Sequence, residues 1–154
     1  MRKIFAITAI LFLFSCNKET TKQPSELLPR SWKITSLKVV TPLQGTPLEG
    51  TTTNWYNADE CKFKQIWTFR SNATLEIKEA PTCVLAGAQS SAIGTFNLSD
   101  NNSKINIRVD WYGGFTFNII NLTKTKLTVQ RNEAVGFGGS QIINLLFEYE
   151  FTAQ

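Results

Sequence analysis

An alternation of apolar and polar residues at period two, repeated in short runs between turn-forming clusters, narrows what this chain can fold into. Ile105, Ile107 and Val109 fall on one side of a strand, with Asn106 and Arg108 on the other. Ile143, Leu145, Phe147, Tyr149 and Phe151 share a side, opposite Asn144, Glu148 and Glu150. This pattern suits an antiparallel sheet with one face on the core and one in water. The spacing predicts eight strands: Ser31–Val40, Lys64–Arg70, Thr74–Glu79, Ile93–Leu98, Lys104–Asp110, Phe115–Leu122, Lys126–Arg131 and Gln141–Thr152. Turn chemistry lies between them at Ser71-Asn72-Ala73, at 99–103 (SDNNS), at Gly113-Gly114 and at Thr123-Lys124-Thr125. A parity switch at Ile119-Ile120 predicts a bulge. Beyond the N-terminal leader, a helical turn fits only near Ser25–Leu28. Sequential strands with short connections leave two edges unless they close. The predicted fold class is therefore all-β, an eight-stranded antiparallel up-and-down barrel.

Two longer connections interrupt the meander. Thr41–Glu60 is rich in Pro, Gly, Thr and Asn and contains Trp55 and Tyr56; Ala80–Ala92 contains Pro81, Cys83 and Gly87. Loops of this length are usually functional or mobile. Trp55-Tyr56 reads equally as an interaction knob and as a plug over the barrel end. Gly136-Phe137-Gly138-Gly139 has no Lys-Ser/Thr after it and no helix start, so it reads as a hairpin loop and not as a phosphate loop.

The chain has three cysteines and no histidine. Two of the cysteines flank the predicted second and third strands. If their turn is centred on Asn72, facing residue numbers sum to 144, which pairs Phe69 with Leu75, Trp67 with Ile77 and Cys61 with Cys83. Facing residues lie about 4.5–5.5 Å apart at Cα, within disulfide range. A Cys61–Cys83 bridge is expected, and it requires an oxidising compartment.

The N-terminus supplies that compartment. Arg2 and Lys3 precede an apolar run from Ile4 to Phe14, too short to span a bilayer and the length of a signal-peptide core. Leu13-Phe14-Ser15-Cys16 resembles the lipobox of bacterial lipoproteins. That resemblance implies cleavage before Cys16, acylation of Cys16 and a membrane partner through the N-terminal lipid. The expected organisation is a signal peptide over 1–15, a lipidated Cys and flexible tether over 16–27, and a barrel domain over 28–154. Cleavage leaves 139 residues and lowers the net charge from +4 to about +2, with no basic run for nucleic acid. The expected location is the outer membrane, with the choice of face open.

The domain as a whole resembles the lipocalin-like lipoproteins of Bacteroidota. The matching residues begin with Leu28-x-x-x-Trp32-Lys33-Ile34-Thr35-Ser36, followed by Cys61…Trp67-Thr68-Phe69…Cys83 and Gly94-Thr95-Phe96-x-Leu98. Ile105-x-Ile107, Phe117-x-Ile119-x-x-Leu122-Thr123-x-x-x-Leu127-x-Val129 and Tyr149-x-Phe151 complete the series. Arg30 and Ala73 stand where that family usually has glycine. The resemblance implies a small barrel with an apolar interior, a place for a small lipophilic ligand.

Trp32, Trp67, Phe69, Phe96, Phe117, Phe147 and Phe151 read as inward, and that many large side chains favour a filled core over an open pocket. The candidate ligand wall is Trp32, Trp67, Phe69, Phe96, Phe117, Phe147 and Tyr149. The alternative reading is a protein-interaction or structural module of the envelope with a solid core, acting on a protein partner through the 41–60 loop around Trp55-Tyr56.

Catalysis is not expected. Without histidine no Ser-His or Cys-His nucleophile system can form. Glu76, Glu148, Glu150, Asp59 and Glu60 fall on outward parity or in loops and mark no paired-carboxylate cleft. No metal site and no cofactor are predicted.

Overall fold

The computed structural model describes residues 22–40, 61–84, 89–110, 113–137 and 141–154. The expected leader, Cys16, and the loop carrying Trp55 and Tyr56 lie outside the described residues. A one-turn helix, α1 (Pro24–Leu27), leads into β1 (Ser31–Val39), β2 (Ile66–Phe69), β3 (Thr74–Lys78), β4 (Ser91–Ser99), β5 (Lys104–Val109), β6 (Gly113–Leu122), β7 (Lys126–Phe137) and β8 (Gln141–Ala153). Each strand pairs antiparallel with the next, and β8 returns to β1 to close the barrel. The predicted fold class stands. Closure follows from the pattern of one apolar face per strand, since a closed sheet buries those faces against one another and leaves no edge.

The β2–β3 register is the one expected from the Asn72 turn, with Trp67 opposite Ile77 and Phe69 opposite Leu75. Cys61 and Cys83 are disulfide-bonded, their Cα atoms 5.5 Å apart. Ala73 takes a left-handed φ of 64°. That conformation costs an L-residue about 1–2 kcal/mol, which is why glycine is the usual occupant. In the β4–β5 turn, Asp100, Asn101 and Asn102 are all left-handed, the conformation that short Asx side chains tolerate.

The expected bulge is present, since the β6–β7 register shifts between Ile119 and Asn121 and leaves Ile120 half out in solvent. A second bulge, at Thr35, shifts β1 against β8 and was not foreseen. It moves the inward positions of β1 from Trp32 and Ile34 to Leu37 and Val39.

Three expectations need correction. Gly113-Gly114 is not a turn: both residues open β6 and pair with Val109 and Arg108, Gly113 with a positive φ of 70° that glycine adopts freely. Gly136 and Phe137 are not loop either, because the β7–β8 ladder runs on through Gly136–Ile142 and Phe137–Gln141. The partner strand holds them extended, whatever their own preference. Lys64 falls in a 3₁₀ turn over Lys62–Lys64, its N–H donated to the Cys61 carbonyl at 3.0 Å, so β2 starts two residues later than expected.

The two ends of the barrel differ in their connections: one, the closed end, is made of short described turns, and the long connections leave from the other, termed the open end. Strands meet at the closed end through the short turns 70–73, 100–103 and 123–125. Leu27 and Leu28 of the α1 segment are buried there. Trp32, fully buried, donates its indole N–H to the Leu28 carbonyl at 3.0 Å. The Arg30 guanidinium lies 5.6 Å from the Trp32 ring centroid and donates to the Lys124 carbonyl. The connections after β1 and β3 leave from the other end, where the disulfide ties their bases together.

Candidate functional site

The interior is built from the odd positions of β7 and β8 and their equivalents round the barrel. Leu127 and Val129 of β7 are fully buried opposite Phe151 and Tyr149 of β8. The next inward positions of β7 are Arg131 and Glu133, opposite Phe147 and Leu145. Two charged side chains therefore follow two aliphatic ones on the face that the sheet turns to its core.

Below them lies an aromatic floor. The Trp67 ring from β2 stands 6.2 Å from Phe117 of β6, 6.4 Å from Phe115 and 5.6 Å from Phe151, centroid to centroid. Phe117 in turn meets Tyr149 edge-on at 5.3 Å. In a cycle of eight strands, β2 and β6 are diametrically opposite. Rings from opposite walls that touch leave that level filled, as an eight-stranded interior allows.

The polar group stands against this floor. Arg131 donates Nε–H to Glu133 Oε1 at 2.8 Å, and the Tyr149 hydroxyl donates to the same oxygen. The guanidinium carbon lies 4.4 Å from the Phe115 centroid, 5.5 Å from Phe117 and 5.7 Å from Tyr149, so the cation is faced by three rings. The Arg131 and Glu133 side chains are 22% and 18% exposed, accessible to water without standing in it.

Burial raises the Tyr149 hydroxyl well above the usual phenol range; the Arg131 charge opposes this and Glu133 adds to it. Burial pulls the Arg131 pKa down, but the Glu133 hydrogen bond, with the Glu133 and Tyr149 charges, more than offsets that and holds it above its ordinary value. Both groups keep their protons throughout the neutral range.

The strands also part here. β6–β7 pairing ends at Asn118–Gln130, whereas β5–β6 continues to Val109–Gly113 and β7–β8 to Phe137–Gln141. Arg131 is the first residue of β7 beyond that ladder, beside the half of β6 that carries Phe115 and Phe117.

Of the expected ligand wall, Trp67, Phe117 and Tyr149 come together at this site, and Phe147 is buried directly opposite Arg131. Trp32 belongs to the closed end, and Phe69 packs edge-on against Phe96 at 4.9 Å, beside the 70–73 turn. Arg131, Glu133 and Phe115 were missed. The signal for the first two was present: continuing the odd parity of Leu127 and Val129 places both inside, but the expected strand stopped at Arg131. The outward acids are where their parity puts them, with Glu76 on Arg70, Glu148 on Gln130, and Glu150 on Lys38 and Lys126. Among the described residues no three Cys, Asp or Glu side chains gather as a metal site.

No family model matches the chain, and no curated protein matches it. One solved structure similar to it is a lipocalin-like protein from Bacteroides uniformis ATCC 8492. That protein is 13% identical, with a TM-score of 0.49, over 82% of this chain and 98% of the other.

Proposed function

We propose that this barrel is a lipid-anchored binding protein of the bacterial outer membrane, lipocalin-like in the use of its interior, which holds a small and mainly apolar molecule in its open half. The observation that carries the proposal is the Arg131–Glu133–Tyr149 group on the inward face, above the aromatic floor. A core selected for stability alone has no need of it, because buried ion pairs can commonly be replaced by packed apolar side chains without loss. A binding site combines apolar walls with a few placed polar groups, which is what these residues provide. A binding role, not a catalytic one, also suits the charge states: neither Arg131 nor Tyr149 exchanges protons near neutrality.

The anchor rests on the leader over 1–15 and on Cys16. Because α1 lies at the closed end, a tether from Cys16 to Gln23 would hold that end toward the bilayer, within roughly 26–29 Å at full extension. The open half then faces away from the membrane. Native mass spectrometry of the full-length protein after incubation with a total lipid extract tests the binding role. One retained small molecule per chain, with a change in tryptophan fluorescence on loading, is the expected result. A chain that emerges empty, with unchanged fluorescence, overturns it.

A further inference from the structure

We propose that the Cys61–Cys83 bond is a redox latch on the barrel interior: while it is closed, the Gln65–Glu79 pair holds the Trp67 ring across the barrel, and reduction of the bond by an external dithiol releases that ring. The latch acts on the barrel itself, whatever the guest.

The β2–β3 ladder ends at Ile66–Lys78. Beyond it, side chains keep the same register. Gln65 and Glu79 hold the next facing positions, and Gln65 donates Nε2–H to Glu79 Oε1 at 3.2 Å. The backbone N–H of Glu79 is given instead to the Ser90 carbonyl. Further out stands the disulfide, Cys61 facing Cys83. Each cysteine is joined to its strand by a 3₁₀ turn, Lys62–Lys64 on one side and Pro81–Cys83 on the other. The covalent bond therefore sets the separation of the two segments that carry Gln65 and Glu79.

Gln65 passes that constraint inward. The Trp67 indole N–H donates to Gln65 Oε1 at 3.2 Å. An indole N–H can only donate, so it takes the amide oxygen and leaves Nε2 for the Glu79 carboxylate, which accepts. The amide is held at both ends, and it holds the polar edge of the indole. The same ring meets Phe115, Phe117 and Phe151 and fills the barrel at that level. Phe63, in the turn between Cys61 and Gln65, also packs against the core.

With the bond open, the segments beyond Ile66 and Lys78 depend on a part-buried side-chain hydrogen bond. Its net gain is smaller than the conformational entropy released by freeing them. Trp67 then loses its acceptor and leaves its place across the barrel. Cys61 and Cys83 are each partly exposed, within reach of a dithiol. One donor thiolate attacks a sulfur of the bond, forms a mixed disulfide and expels the other cysteine as a thiolate. The donor's second thiol displaces the remaining cysteine. The donor ends as a disulfide, and Cys61 and Cys83 end as thiols that have gained two electrons and two protons.

The test is fluorine NMR of the full chain labelled with fluorotryptophan and carrying Cys16→Ser, so that Cys61 and Cys83 are its only cysteines. Trp67→Phe and Trp32→Phe assign the two resonances of interest. Excess dithiothreitol is expected to move the Trp67 resonance by more than its linewidth and to leave Trp32, at the closed end, in place. Gln65→Met should displace the Trp67 resonance in the oxidised protein and remove most of the further shift on reduction. Glu79→Gln keeps an acceptor for Gln65, so its oxidised spectrum and its response to dithiothreitol should match wild type. The Trp32 resonance reports that each variant is folded. A Trp67 resonance unmoved by reduction overturns the latch. So does a reduced spectrum in which Trp32 moves as far as Trp67, because the barrel has then loosened throughout. A Gln65→Met protein that responds to reduction as fully as wild type overturns the route through Gln65.

Discussion

The two ends of the barrel solve different problems with the same kind of strand. At the closed end the strands are joined by turns of three or four residues, and a buried Trp32 is clasped by the α1 segment through the Leu28 carbonyl. In the open half the connections after β1 and β3 are long, β6 and β7 separate, and a charged pair occupies inward positions next to fully buried aliphatics. Large apolar side chains are fully buried where the fold must hold, although the buried Arg30 Nε has no hydrogen-bond partner there among the described residues. Strand pairing is relaxed and polarity admitted where a guest would enter. On the proposed reading, one continuous sheet separates stability from binding without a second domain.

The sharpest way to break this comparison is at the closed end. Trp32→Ala should cost about 3–5 kcal/mol in urea unfolding, from the lost burial of a large ring, the cavity it leaves and the orphaned Leu28 carbonyl. A loss below about 1 kcal/mol would mean that stability does not reside there.

Next in size is the disulfide, which supports the open end. Replacing Cys61 and Cys83 together by serine should lower stability by about 3 kcal/mol, as expected for a closed loop of this length. Wild type melted in reductant should match the double variant, and a reductant-insensitive wild-type melt would contradict the bond.

The smallest expected effect is the most informative. Arg131→Met combined with Glu133→Leu should cost about 1 kcal/mol, less than Glu133→Leu alone, because the charge pair is removed together and only the Tyr149 hydroxyl is left without its acceptor. Glu133→Leu alone should cost about 1–3 kcal/mol, because the Tyr149 hydroxyl and the Arg131 cation both lose their acceptor. A double variant less stable than that single one would assign the pair to the fold and remove the contrast between the two halves.

Much of the fold was legible because the deciding signals are local. Asn72 fixes a turn, the turn fixes an index sum, and that sum puts Cys61 opposite Cys83 and Trp67 opposite Ile77. The SDNNS turn reads out because Asp100, Asn101 and Asn102 tolerate the left-handed backbone it needs. Strand ends were less legible. The glycines at 113, 114 and 136 look like turn residues, yet each is held in a ladder by a partner strand. The same misjudged end hid the site. Ending the strand at Arg131 removed Glu133 from the inward face, and nothing local to Arg131 says that Phe115 and Phe117 will stand beside it.

What the sequence by itself determined is the number of strands, the face taken by most of their residues and the Cys61–Cys83 bridge, because a period of two and a tight turn are properties of neighbouring residues. What only the tertiary structure decided is what meets inside: Trp67 against Phe117 from the opposite wall, and Arg131 among three rings at a seam where pairing stops. Those contacts depend on the tilt and stagger with which eight strands close, and closure is a property of the whole barrel that no single strand encodes.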